Sequence, residues 1–269
     1  MNPWRYVPTP VVDLGVWVLT KISHLAGTNR LTFNHEGEKY EIYYNQEHFK
    51  KLWLFIDDSK TSENIPFSLL DLGEDVDVIV DAGAHIGSYT ILLSKLNPGH
   101  DVFAFEPHPD NAGHLLDLME MNNLEVVIDE KAVVGSGAPQ EIDLHSSPNS
   151  SESHSIRNNP QQKNKNGRGE ISKVETISLS TRLEGYSSPF FKIDVEGAEY
   201  SVLRDIILCS SFEDIRGIVE IHPDKMDQSV EECLKLFEKA DIDYKELGST
   251  VDNYDQKRPG FYFEGKVGR

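Results

Sequence analysis

Positive charge is scarce in this chain. Its 269 residues carry 26 Lys and Arg against 45 Asp and Glu, a formal net charge of −19. Proteins that grip nucleic acid cluster Lys and Arg against phosphates, so this balance argues against such a partner while leaving a cationic small molecule welcome. The same acid excess would suit a salty cytoplasm. Cysteine is nearly absent: Cys209 and Cys233 both fall in amphipathic helical stretches. They read as buried free thiols in a reducing compartment, not as a disulfide framework. Long apolar runs are missing as well. The N-terminus lacks the basic region, apolar run and small-residue cleavage site of a signal peptide. Val11 to Leu25 is apolar on one face but carries Asp13, Lys21 and His24, too short and too charged to span a bilayer. It reads as a helix packed on the protein, with a membrane-surface helix as the alternative. The expected location is the cytoplasm, with peripheral membrane attachment as the variant.

What is present concentrates between Val78 and Gly87, VIVDAGAHIG. An apolar strand stops at Asp81, a small-residue turn follows (Gly83, Ala84, Gly87), and helical spacing begins at Ser88 and runs through Thr90. A strand ending in an acid, then a glycine turn, then a helix N-terminus is how a doubly wound sheet builds a nucleotide-sized site. Nineteen residues past Gly87, Glu106 closes a second strand, where a carboxylate can accept two ribose hydroxyls. A dinucleotide fingerprint asks for glycine at 83, 85 and 88, because the backbone must approach a pyrophosphate. Here those positions are Gly83, His85 and Ser88. A Cβ and an imidazole stand where phosphates would press, so the ligand is a nucleoside without a diphosphate, a description that S-adenosylmethionine fits.

Around this motif the pattern alternates. Residues 1–70 read as an accessory segment: a helix near Val11–Leu25, a hairpin of Leu31–Phe33 and Tyr40–Tyr44, and helical spacing of Phe49, Leu52, Trp53 and Ile56. From residue 71 to 269 strands near 76–80, 101–105, 190–193 and 218–221 alternate with helices near 88–96, 110–121, 198–208 and 228–240. That order predicts an α/β fold with a doubly wound, mostly parallel, Rossmann-like sheet. Strands at 243–247 and 260–263 predict an antiparallel edge hairpin. Short strands are also expected at 131–134 and, as an edge, 142–144. Residues 145–170 are Ser, Asn, Gln and Gly with Ile156 as the single large aliphatic side chain, so no core strand is expected there. The segment carries Arg157, Lys163, Lys165 and Arg168 and reads as either a solvated insertion or a lid over an anionic acceptor.

Four strands end in acids: Asp81, Glu106, Asp194 and Glu220. In a parallel sheet the carboxyl ends share one edge, and the ligand crevice lies there. Lys192, Asp194 and Glu196 follow two aromatics, which sets charge against a buried strand. Such charge is costly unless paired, so an ion pair of Lys192 with a neighbouring acid is expected whether or not chemistry happens there. Glu220 and His222 stand two apart and face the same way.

The order VIVDAGAHIGSYT, FAFEPHPDN, FFKIDVEGAEYSVL, IVEIHP resembles the FkbM-type methyltransferases, S-adenosylmethionine-dependent enzymes that methylate hydroxyls of sugars and polyketides. The likeness covers Val76 to Phe263. It implies that Asp81, Gly83 and Gly87 hold the methionine end and adenosine, that Glu106 holds the ribose with Pro107 shaping the turn, and that Lys192, Asp194 and Glu196 line the transfer site with Glu220 and His222 nearby. One departure is Ser180, where the family usually has Asp after the leucine. Ala84 and Thr90 complete the expected cofactor-binding set. Transfer is an in-line displacement, in which alignment supplies up to ~7–11 kcal/mol and a base adds roughly 10²–10⁴-fold. Asp194 or His222 is the expected base. Asp194, Glu220 and His222 holding magnesium is the alternative. The expected activity is O-methylation of a hydroxyl or carboxyl on a sugar, glycan or other small molecule, anionic or lipid-linked. A nicotinamide-dependent oxidoreductase and a non-enzymatic nucleoside-binding module are the competing readings.

Overall fold

The computed structural model describes residues 30–45, 48, 67–147, 150–156, 170–251 and 257–267. The stretch Val11–Leu25, the helical spacing from Phe49 to Ile56, and the four cations Arg157, Lys163, Lys165 and Arg168 lie outside the described residues.

A hairpin of β1 (Arg30–His35) and β2 (Glu38–Tyr43) comes first, turning at Glu36 and Gly37, both at positive φ. The alternating unit then begins: β3 (Val78–Ala82), α1 (Ser88–Leu96), β4 (Asp101–Phe105), α2 (Pro109–Met121) and β5 (Val127–Asp129). A small-sheet excursion follows, with β6 (Ala132–Val133), β7 (Glu141–Ser147), β8 (Ser150–Ile156) and β9 (Glu170–Ile177). The short α3 (Leu179–Arg182) leads back into β10 (Pro189–Ile193), α4 (Glu199–Ile207), β11 (Asp214–Glu220), α5 (Val230–Ala240), β12 (Asp243–Val251) and β13 (Lys257–Lys266). Local chemistry sets several of these bounds. Asn97 ends α1 by turning its side-chain amide onto the carbonyls of Leu93 (2.8 Å) and Leu70 (2.7 Å). A capping box opens α5, in which Ser229 Oγ accepts from the Glu232 amide at 3.2 Å and the Glu232 carboxylate accepts from the Ser229 amide at 2.9 Å.

The main sheet has seven strands in the order β12-β13-β11-β10-β3-β4-β5. All its pairings are parallel except those of β13, which runs antiparallel to both β11 and β12. The order reverses beside β3, with β4 on one side and β10 on the other. This is the topological switch point where an open sheet offers a crevice. The antiparallel hairpin expected near the edge is present, with the last strand slotted inside its partner.

Strand alternation sorts side chains into two cores. Val78, Val80 and Ala82, Phe103 and Phe105, and Phe191 and Ile193 face α4 and α5. Ile79, Val102, Ala104, Phe190 and Ile218 face α1, α2 and the β1–β2 hairpin. Residues 81 and 192 continue the second set by parity, so Asp81 and Lys192 project from that face as direct neighbours across β3 and β10. Two charges are thereby set side by side on buried strands whose other side chains are apolar.

Two expectations need correction. Residues 131–134 and 142–144 do not extend the main sheet. They belong to a separate four-stranded sheet, order β6-β9-β7-β8, whose β9 lies in a stretch where no strand was expected. The polar stretch does supply a strand, since β8 pairs with β7 from Leu144 to Ser147. Backbone hydrogen bonding at an outer edge asks for no apolar face, so a segment unable to enter a core can still pair. Cys209 and Cys233 are buried and unbridged. Among the described residues no helix is long and apolar enough to cross a membrane.

Candidate active site

The turn after β3 is held by its own backbone. The amides of Gly83 (3.0 Å) and Ala84 (2.9 Å) both donate to the Phe105 carbonyl, which docks the turn on β4. Gly83 has φ +82, and a Cβ there would lie 1.8 Å from the Asp194 carbonyl oxygen. Gly87 has φ +91, and a Cβ there would meet Leu115 Cδ1 at 2.6 Å. Glycine is thus demanded twice by the protein's own packing. Asp81, fully buried, accepts from Thr90 Oγ1 at 2.6 Å. Its Oδ1 lies 3.4 Å from Lys192 Nζ and receives no hydrogen bond among the described residues.

Glu106 sits at the end of β4, 4% exposed. It accepts from the amides of His85 (2.8 Å) and His108 (2.9 Å) and from the Asn111 side chain (3.4 Å). His85 reaches this position with φ +52. Burial nevertheless pushes the Glu106 carboxyl up to about 7, against the lowering pull of those donors and of Lys192. Pro107, half-buried, leads from this acid towards α2. A buried carboxylate short of stabilisation and an Asp81 oxygen without a hydrogen bond are what a crevice shaped for a ligand's hydroxyls and ammonium would contain. These residues fit the nucleoside and amino-acid ends of S-adenosylmethionine.

On the other side of the switch point, Lys192 joins everything. Its Nζ donates to the Gly83 carbonyl (3.0 Å) and to Asp194 Oδ2 (3.4 Å) and lies 5.1 Å from the centre of the Tyr89 ring. The ion pair expected of a buried Lys192 is present, and it has two acids. His222, 1% exposed, sets Nδ1 against Glu199 Oε1 at 2.7 Å, while Nε2 faces Asp194 at 3.6 Å and Glu196 at 3.7 Å. Burial alone would lower its pKa. The Glu199 hydrogen bond and the charges of Glu199, Asp194 and Glu220 outweigh that and raise it to about 9. Asp194 shows the converse: burial would raise its pKa, and Lys192, His222 and Lys225 together hold it below the ordinary value. Glu196, at φ +55, pairs with Lys225, and the following Gly197 amide donates to Glu199 Oε1 at 3.0 Å.

This geometry bears on the expected chemistry at two points. The raised pKa favours an imidazolium, which has no lone pair to take a proton, so of the two expected bases the electrostatics favour Asp194. Asp194, Glu220 and His222 bring ligand atoms within 4.8 Å of one another, and an ion held there would take His222 as the neutral imidazole. Nδ1 is taken by Glu199 at 2.7 Å, which leaves Nε2 as the nitrogen such an ion would use. The four strand-end acids do share one edge, as their parallel strands require. Glu199 and Lys225 were missed as partners: Glu199 closes the quoted KIDVEGAE stretch, so its place in the motif was the available signal. Ser180 lies away from the acids, with its amide (3.0 Å) and hydroxyl (2.7 Å) donating to Asp205.

Beside Lys192 and Asp194 opens a cleft of about 400 Å³, lined also by Tyr89, Ile218, Glu220, Leu247, Gly248, Arg258 and Gly260. Tyr89 and Arg258 carried no local signal in the sequence.

Comparison with known proteins identifies the family. Residues 81–245 match the methyltransferase FkbM domain. Hexuronic acid methyltransferase AglP of Haloferax volcanii is 28% identical over 222 residues, covering 79% of this chain and 82% of that protein. Among solved structures, the Aeropyrum pernix fibrillarin with natively bound S-adenosyl-L-methionine has a TM-score of 0.43 at 14% identity, covering 87% of this chain and 82% of its own. Precorrin-6y C5,15-methyltransferase from Geobacter metallireducens has a TM-score of 0.40 at 15% identity, covering 74% of this chain and 82% of its own. With the family match running over most of the doubly wound sheet and its strand-end acids, the chain belongs to the FkbM methyltransferases and is an S-adenosylmethionine-dependent enzyme.

Proposed function

We propose that the enzyme methylates an oxygen of a sugar or related small molecule, with Asp194 as the group that takes the hydroxyl proton. The observation that carries this reading is the cleft opening directly from the Lys192–Asp194 pair, on the far side of the switch point from the glycine turn. The name of the Haloferax relative supports a sugar acceptor. When bound, S-adenosylmethionine supplies an electrophilic methyl group. Asp81, Gly83, Ala84, Gly87 and Thr90 would hold its amino-acid end and Glu106 its ribose, with Pro107 shaping the turn, while Lys192 fixes the distance between the two halves.

At the acceptor, Asp194 would take the hydroxyl proton as the oxygen gains the methyl group and the sulfonium sulfur leaves as the neutral thioether. Lys192 and His222 lower its basicity but keep it ionised across the neutral range and fix its orientation. Glu196 and Glu199 hold that imidazolium in place, and Glu220 borders the acceptor. Asp194→Asn should lower turnover about a hundredfold with S-adenosylhomocysteine affinity unchanged, measured by formation of methylated product from hexosides and hexuronides. Wild-type turnover in that variant would leave Asp194 as a mere ion-pair partner of Lys192.

A further inference from the structure

The acceptor cleft is polar in an uneven way. Asp194 and Glu220 supply negative charge beside the reacting edge, whereas Arg258 enters the lining from β13. Arg258 stands two residues before Gly260 and so shares its face. It is 18% exposed at the side chain and steadied by Asp224 at 4.0 Å. Gly260 pairs with Glu220 on one side and with Gly248 on the other, where β12 shifts register between Glu246 and Gly248. Two glycines opposite each other leave bare backbone as part of the cleft's surface. Packing does not demand this at Gly260: a Cβ there would come no closer than 3.9 Å to Gly248 O and 4.0 Å to Val219 O. Its missing side chain is room left for something else, unlike the tight glycines at 83 and 87.

Resting on the sugar-methylation reading above, we propose that the Gly248–Gly260 pair is the floor of a sugar subsite and that Arg258 holds a carboxylate on that sugar. A ring lying flat needs a surface without side chains, and the Tyr89 ring and Leu247 add apolar lining. Arginine's planar fork matches a carboxylate in two parallel hydrogen bonds. Repulsion from Asp194 and Glu220 turns the anionic end of the ring away from them, so one orientation is favoured and the hydroxyl edge meets Asp194. The substrate class is a hexuronic acid or its glycoside.

The test uses binding, with turnover as a separate readout. Methyl β-D-glucuronide, methyl β-D-glucoside and glucose 6-phosphate are titrated calorimetrically into the full chain saturated with S-adenosylhomocysteine. The expected result is at least tenfold tighter binding of the glucuronide than of either other ligand. Arg258→Gln should abolish that preference, and Gly260→Val should remove sugar binding while cofactor affinity and the melting temperature stay at wild-type values. Equal binding of glucuronide and glucoside, a preference for the phosphate, or a preference that survives Arg258→Gln each overturns the proposal. Methyl transfer is followed separately with labelled cofactor. Glucuronide binding without any labelled product would sink the methylation reading and leave the subsite standing.

Discussion

Glu106 and His222 are both buried and both shifted upward, with opposite consequences for charge. The Glu106 carboxyl, raised from 4.5 to about 7, favours its neutral form in the folded protein. Its contribution to stability is therefore fully present below 4.5 and lost as pH rises through about 7. Ribose hydroxyls need the ionised form as acceptor, so S-adenosylhomocysteine should bind about tenfold tighter at pH 8 than at pH 6. Glu106→Gln should bind weakly with no such slope; calorimetry at the two pH values decides. His222, raised from 6.5 to about 9, favours its charged form. Its stabilisation is complete below 6.5 and disappears as pH climbs through about 9, worth on the order of 3 kcal/mol. The melting temperature should therefore fall between pH 7 and pH 10 in the wild type and fall less in His222→Gln. Parallel slopes in the two proteins would mean that the ring is not an imidazolium.

Among the elements, the turn between β3 and α1 is the one whose geometry tolerates least. A methyl group at Gly83 would collide with the Asp194 carbonyl, so Gly83→Ala should lower stability by about 2 kcal/mol or more and not merely weaken the cofactor. Denaturant melts check this: an unchanged midpoint would show that the β10 turn can yield. The turn was legible in the sequence because its cause is local: a buried strand, small residues and a helix start lie within a dozen positions. The strand-end acids were legible for a related reason, since parallel strands must bring their carboxyl ends to one edge. The four-stranded sheet was not. Its β6 and β9 pair Ala132 with Thr176 across the polar segment, and no periodicity inside Ser- and Asn-rich sequence marks which backbone will find which. Arg258 escaped notice in the same way, because a residue on β13 enters the cleft only through the pairing of Gly260 with Glu220.

For the whole molecule, a net charge of −19 makes self-repulsion the dominant long-range force. Raising potassium chloride from 0.05 to 1 M shortens the screening length from over 10 Å to about 3 Å, so the melting temperature should rise by several degrees or more. An equal rise in sucrose of matched osmolality would assign the effect to crowding of water and not to charge. The strand order has another consequence, this one for truncated genes. Among the described strands, β12 touches the main sheet solely through β13, the last of them. A stop codon ahead of residue 257 would therefore remove two strands from the sheet for the loss of one. It would erase Arg258 and Gly260 along with the support of Leu247 and Gly248, leaving β11 as a raw edge open to pairing with other chains. The strands carrying the glycine turn and Glu106 would keep their neighbours. Such a product is expected to retain the nucleoside crevice, lose the acceptor wall and aggregate, which makes the distal codons as sensitive to nonsense mutation as the motif at the start of the sheet.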